Sequence, residues 1–198
     1  MENVDERQCK ELSLETIEER QCQEQSLETQ SRGMQSIEKQ STEKMTYADE
    51  LRSEGSGKSP SDAVLQKLAG AALEARKLAY APYSHYTVGA ALLTEGGLIY
   101  QGGNIENASY GATNCAERTA IYKAVSEGER RFRAIAIAGG LEGAEPVDYA
   151  YPCGICRQVM QEFAGEDFVV IVARSVSDYQ VHKLKELLPY GFGGDSIR

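Results

Sequence analysis

Long apolar runs are missing from this chain, and none of its segments could span a bilayer as a helix. An excess of basic charge is missing too. Thirty acidic residues outnumber 21 basic ones, giving a net charge of −9. Nonspecific binding to DNA or RNA needs a basic face, and so does an electrostatic hold on anionic membranes. Histidine is scarce. His85 and His182 are the only two, and neither stands at ligand spacing from the cysteines. The opening Met1-Glu2-Asn3-Val4-Asp5-Glu6 lacks the basic start and apolar core of a secretory leader, and its acidity argues against a mitochondrial transit peptide. The expectation is a cytoplasmic protein without a disulfide framework.

What is present divides near residue 55. Residues 1–55 hold 14 acidic and 7 basic residues, so they carry most of the net charge. They are rich in Glu, Gln and Ser, with Tyr47 as the sole aromatic. Such a segment cannot bury enough apolar surface to offset the entropy of ordering it. It also repeats. Glu6–Thr16 reappears 13 residues later as Glu19–Thr29, with nine of eleven positions identical. A period of 13 fits no solenoid, and two copies with few leucines make no stable coiled coil. The reading is a duplicated, disordered acidic tail of unknown partner. A docking helix that folds on binding is the sharper alternative. The low mean hydropathy of −0.43 belongs largely to this tail.

Residues 56–198 have an ordinary size for one core. Ser59-Pro60-Ser61 predicts a helix start, and Val64, Leu65, Leu68, Ala72, Ala75 and Ala79 give an apolar stripe of helical period. Val88–Leu93 and Leu98–Gln101 read as strands joined at Glu95-Gly96-Gly97. A polar loop, Asn104–Asn114, leads to a helix over Cys115–Glu127. Ala134–Ala138 is a third strand, Cys153–Phe163 a helix, Phe168–Ala173 a fourth strand, and His182–Leu188 a short closing helix. Strands alternating with helices imply an α/β fold with helices on the sheet faces.

Cys9 and Cys22 ride in the tail repeat, whereas Cys115, Cys153 and Cys156 lie in the folded part. Cys153 and Cys156 share one side of a first helical turn, and Cys115 opens another helix. Helix N-termini favour thiolates, the form that binds metal. Three thiolates can hold a tetrahedral Zn2+ and leave its fourth position open, as in catalytic sites. Glu117 stands two residues after Cys115. Helical periodicity does not put the two on one face, but a long side chain in a first turn can reach a metal-activated water and move its proton. Three thiolates overcompensate zinc, so positive charge is expected nearby, from Arg118 and secondarily Arg157.

Each feature alone is weak. Cys-x-x-Cys fits a redox pair or half a zinc knuckle, and both arginines would by default be solvated. Together, Cys115-Ala116-Glu117 and Pro152-Cys153-Gly154-Ile155-Cys156, with 37 residues between Cys115 and Cys153, match the pattern of zinc-dependent base deaminases.

Longer stretches carry a family resemblance. They include Tyr80-Ala81-Pro82-Tyr83-Ser84, Val88–Leu93, Asn104-Ile105-Glu106-Asn107-Ala108, Cys115–Ala120, Lys123–Gly128, Pro152–Gln158 and Glu186–Pro189. Residues from about 61 to 195 resemble the small homotetrameric cytidine deaminases. The resemblance implies a three-layer α/β/α fold with a mixed sheet of about five strands. It implies zinc-dependent hydrolysis of cytidine and deoxycytidine to uridine and deoxyuridine, with release of ammonia, in pyrimidine salvage. One Zn2+ per subunit would lie on Cys115, Cys153 and Cys156, with Glu117 as proton shuttle. Asn104 and Glu106 would hold the ribose 3′-hydroxyl, and the Ala116 backbone the base edge. Tyr86 would pack on the pyrimidine, where many relatives have Phe. Ala108 and Tyr110 would lie near the ribose 5′ side. Phe192 would stack on the base from a neighbouring subunit, so a homotetramer with shared active sites is implied. Gly103 and Ser109 stand where relatives often carry extra cysteines.

Alternatives remain from the residues alone. Deamination of another aminopyrimidine is opposed by the Asn104–Glu106 pair. Deamination within RNA or DNA is opposed by the nearly neutral catalytic part. A non-catalytic zinc module would need a fourth ligand, and a thiol–disulfide protein would leave Glu117 and Asn104 without a role.

Overall fold

The computed structural model describes residues 59–165 and 167–196. The predicted tail and its repeat lie outside the described residues. Helix α1 (Asp62–Ala75) is followed by strands β1 (Tyr86–Thr94) and β2 (Ile99–Gly103). Helix α2 (Ala116–Ser126), strand β3 (Phe132–Leu141) and helix α3 (Gly154–Phe163) come next. Strands β4 (Val169–Ala173) and β5 (Tyr179–Lys183) and the short helix α4 (Leu184–Leu187) complete the order. The strands form one sheet in the order β2-β1-β3-β4-β5. β3 and β4 are parallel, and the other neighbours are antiparallel.

Side-chain alternation builds a core on each face of the sheet. Ala91, Leu93, Ala134, Ala136, Ala138, Ile171 and Ala173 face α1, meeting Val64, Leu65, Leu68, Ala69 and Ala72. Their neighbours Ala90, Leu92, Ile135, Ile137, Val170 and Val172 face α2 and α3, with Ala120, Ile121, Cys156 and Met160. The result is the expected three-layer α/β/α arrangement with a mixed five-stranded sheet. The α1 face of β3 is entirely alanine, whereas its opposite face carries isoleucine, so α1 lies against a flatter surface.

Three expectations change. The α1 stripe does not reach Ala79, which is extended after a single 3-10 turn at Arg76–Leu78. Here the chain leaves the helix to run beside the polar loop: Tyr80 N donates to Asn104 O at 2.8 Å and Glu106 N to Tyr80 O at 2.8 Å. The second strand, expected to end at Gln101, continues through Gly102 and Gly103, the last residues of β2. A Cβ on Gly102 would stand 2.5 Å from Ala120 N, and one on Gly103 2.6 Å from Ala79 N. The pair lets α2 close on one side of the sheet edge and the α1 exit close on the other. Finally, His182 and Lys183 are strand, not helix. Val170 pairs with His182 and Val169 with Lys183, and only then does α4 begin, with Glu186 accepting from Lys183 N at 2.9 Å.

Candidate active site

Two helices start side by side on one face of the sheet, and both begin with cysteine. Cys115 is the N-cap of α2 and Cys153 the N-cap of α3, each in extended backbone. Their carbonyls accept the first helical bonds, from Thr119 N and Arg157 N, both at 3.0 Å. Cys156 lies one turn into α3 and is fully buried. The three sulfurs lie within 4.8 Å of one another, with Cys115 Sγ 3.8 Å from Cys153 Sγ.

The Cys115 thiol is pulled down to about 5, first by a hydrogen bond from Cys156 and, against its burial, by Arg118. Cys156 is pushed up as the donor in that bond and by burial. Glu117 is buried beside them at 3% exposure. Burial pushes its carboxyl up to about 7, its own backbone N–H pulls it back, and the Cys115 thiolate adds to the rise. A carboxyl poised there can both take and give a proton at neutral pH.

Arg118 donates to Thr113 O at 3.2 Å and Cys115 Sγ at 3.5 Å. Its buried Nε has no acceptor among the described residues. Arg157 is placed differently. Its Nε donates to Pro152 O at 2.7 Å and its Nη1 to Leu187 O at 2.9 Å. Those bonds tie the start of α3 to the end of α4.

The polar loop reaches the same place. Ile105 and Asn114 exchange two backbone bonds of 2.9 Å, so Asn104 and Glu106 flank the partner of the residue before Cys115. Glu106 accepts from Tyr83 N at 2.9 Å, Ser84 N at 3.2 Å and the Ser84 hydroxyl. The Ser84 hydroxyl and the Tyr83 amide are the main reasons its carboxyl lies below its usual range. Asn104 receives Val88 N at 2.8 Å and donates to Tyr86 O at 3.0 Å. Tyr83, Ser84, Glu106, Asn107, Tyr110 and Thr113 line an open cleft. Thr113 links the cleft to α2: its hydroxyl receives Asn107 N at 3.1 Å, and its carbonyl receives Arg118.

Ala116 opens α2, where the first amides have no intrahelical acceptor. The Tyr86 ring lies over Gly139, where a Cβ would come 3.1 Å from it. Ala108 is exposed, as is Tyr110 at 82%. Phe192 is exposed at 58%, its carbonyl held by Gln158 Nε2 at 2.9 Å, and it is not among the cleft-lining residues. Tyr83 and Ser84 lie in a stretch that carries the family resemblance, but no site role was expected of them. Their position in a proline turn just before a strand is the pattern that could have revealed them.

The donor set fits zinc. Three sulfurs converge, and no further His, Cys, Asp or Glu joins the group among the described residues. That leaves a position for water or substrate. Residues 63–172 match the family model described as the cytidine and deoxycytidylate deaminase zinc-binding region. The chain belongs to this family. Within the cytidine and deoxycytidylate deaminases, it is 46% identical to a cytidine deaminase of Sporosarcina psychrophila over 133 residues, 67% of this chain and 94% of the relative. It is 47% identical to one from Halalkalibacterium halodurans over 132 residues, 67% of this chain and 96% of the relative. The crystal structure of a cytidine deaminase from Burkholderia pseudomallei superposes with a TM-score of 0.58 at 45% identity, covering 64% of this chain and 97% of that one. The matched residues run from α1 into β4 and include Cys115, Glu117, Cys153 and Cys156.

Proposed function

We propose that this chain is a zinc-dependent cytidine deaminase, converting cytidine and deoxycytidine to uridine and deoxyuridine with release of ammonia. The observation that carries the reading is the convergence of Cys115, Cys153 and Cys156 beside a buried Glu117. Zinc, when bound, supplies a water acidified enough to act as a nucleophile at neutral pH. Glu117 would take the proton lost by the attacking water and give it to N3 of the ring, then take the remaining hydroxyl proton of the C4 adduct and give it to the amine as the C4–N bond breaks and the C4 carbonyl forms. Arg118 offsets the surplus negative charge of the thiolates. Arg157 contributes to that balance at longer range while holding Pro152 in place. Asn104 and Glu106 bind the ribose 3′-hydroxyl, since an amide and a carboxylate can donate to and accept from one hydroxyl. The Ala116 backbone holds the base edge, Tyr86 packs on the ring, and Ala108 and Tyr110 border the 5′ side.

The substrate is the free nucleoside. No lysine or arginine lines the cleft, and Glu106 is held ionised within it. A 5′-phosphate on the Ala108 and Tyr110 side would find no cation in the cleft to pair with. The exposed Phe192 and Tyr110 support an assembly in which neighbouring copies complete each site, a homotetramer in this reading. No helix among the described residues is long and apolar enough to cross a membrane, and a cytoplasmic location suits salvage of free nucleosides. Residues 56–198 form the catalytic domain, and 1–55 stand outside its chemistry.

The test is an ultraviolet assay on cytidine, deoxycytidine and deoxycytidine 5′-monophosphate, with and without a zinc chelator. Turnover of both nucleosides, lost with chelator and absent for the monophosphate, is expected. Comparable turnover of the monophosphate would contradict the nucleoside assignment.

A further inference from the structure

One side chain fastens the end of α1 to two other elements. Arg76 Nε donates to Thr87 O at 3.3 Å, and a terminal nitrogen reaches Thr87 Oγ1 at 3.1 Å. The same nitrogen lies 2.9 Å from both Leu141 O and Ala144 O. All four acceptors are uncharged oxygens. Two are at the root of β1, one at the end of β3 and one in the turn that follows it. A guanidinium presents its donors in one rigid plane, so it can fix three segments at set spacings as a flexible ammonium cannot. Gly140 leaves room for it: a Cβ there would come 3.0 Å from the guanidinium.

The gripped turn holds the strap that serves the cleft. Glu142, between Leu141 and Ala144, donates its N–H to His85 O at 2.8 Å. His85 has φ +54°, a left-handed conformation that a non-glycine residue keeps only when its surroundings enforce it. Ala81 O enforces it from the other side, receiving His85 N at 3.0 Å. The imidazole Nδ1 stands 3.5 Å from the Glu142 carboxylate. Just before His85, Tyr83 and Ser84 supply the three donors that hold Glu106. Just after it, Tyr86 N donates to Ser84 Oγ at 3.0 Å, and Tyr86 O receives Asn104. The sharp bend at His85 aims the donors at Glu106 on one side and sends Tyr86 into β1 on the other.

We infer that Arg76 is a positioning residue for the sugar side of the cleft. It acts through the turn at residues 141–144 and the left-handed His85 on the donors that hold Glu106. The inference rests on the reading of Glu106 as a ligand of the ribose 3′-hydroxyl. Arg76 itself lies behind the strap, held by backbone and Thr87 oxygens, so its effect falls on affinity and not on proton transfer.

The experiment compares the full-length zinc-loaded native enzyme with Arg76→Lys, Glu106→Gln and the double variant, using cytidine and 3′-deoxycytidine. Arg76→Lys is expected to raise KM for cytidine about tenfold and change kcat by less than about twofold. KM for 3′-deoxycytidine, which lacks the hydroxyl in question, should stay near its native value. The double variant should be no worse than Glu106→Gln alone, since both changes act on one contact. A merely structural role would lower the active fraction, and so kcat, for both substrates alike. An unchanged KM in Arg76→Lys beside a raised KM in Glu106→Gln overturns the inference alone, as does full additivity in the double variant. An unchanged KM in Glu106→Gln overturns the sugar reading, and the inference with it. If Arg76→Lys does not accumulate, Thr87→Val removes one of its acceptors, and a severalfold rise in cytidine KM is expected. No rise there counts against the linkage.

Discussion

At the residue scale, the chemistry depends on where a few protons sit. In the metal-free protein the hydrogen bond between the two thiols, with Arg118, lowers Cys115, while the same bond and burial raise Cys156. Zinc loading should therefore release at least one proton per chain at pH 7, detectable by calorimetry in buffers of different ionisation enthalpy. Zinc uptake with no proton release would contradict the assignment. Glu106 offers a second check. Its folded-state carboxyl is depressed by Ser84 and Tyr83, so what the ionised group contributes is present above the ordinary carboxylate value of about 4.3 and is lost only as pH falls through the lower folded value. The Glu106 carboxyl, followed directly by NMR, should accordingly titrate below the ordinary value, and a midpoint at or above it would count against these bonds. The three cysteines and Glu117 were legible in the sequence because their types and spacing are chemically specific. The support around Glu106 was not. Tyr83 contributes a backbone amide, which no side-chain pattern announces, and Arg157 bonds to carbonyls that only the fold brings near.

At the element scale, strand period and helix stripe made both core faces legible. The alanines of β3 and the leucines of α1 announce their packing. Ala136 lies fully buried between α1 and its strand neighbours. Ala136→Leu should destabilise the domain by about 1–3 kcal/mol through overpacking, read as a lowered denaturant midpoint with an unchanged slope. An unchanged midpoint would show that α1 can draw back from the sheet. Two elements were misread for physical reasons. The strand read as ending at Gln101 runs on through Gly102-Gly103, whose missing side chains serve close approach on both sides of β2. His182 and Lys183 sit beside helix-forming residues, yet edge pairing with β4 outweighs local propensity. The bend at His85 had no sequence mark at all. His85→Gly should keep the native cytidine KM, because glycine adopts φ +54° freely. His85→Val, whose branched side chain opposes the left-handed region, should raise it severalfold. Equal KM in the two variants would detach the backbone conformation from binding.

At the scale of the whole molecule, the net charge of −9 is a property of two unlike parts. Most of it belongs to residues 1–55, outside the described residues, and the remainder of the chain is close to neutral. Deleting residues 1–55 should leave cytidine turnover within about twofold and the mass near four times that of the shortened subunit, by light scattering. A large loss of turnover with the assembly intact would place the tail in the site. The shared-site reading further implies that Phe192→Ala, tested in the same assembly, impairs turnover without changing zinc content. All of this depends on whether a buried glutamate beside three thiols moves the protons of a deamination. The direct measurement is cytidine turnover by the Glu117→Ala enzyme, with zinc determined on the same sample. The account predicts full zinc occupancy and a loss of turnover of about 10²–10⁴-fold or more. Turnover near the native rate with zinc in place would contradict it.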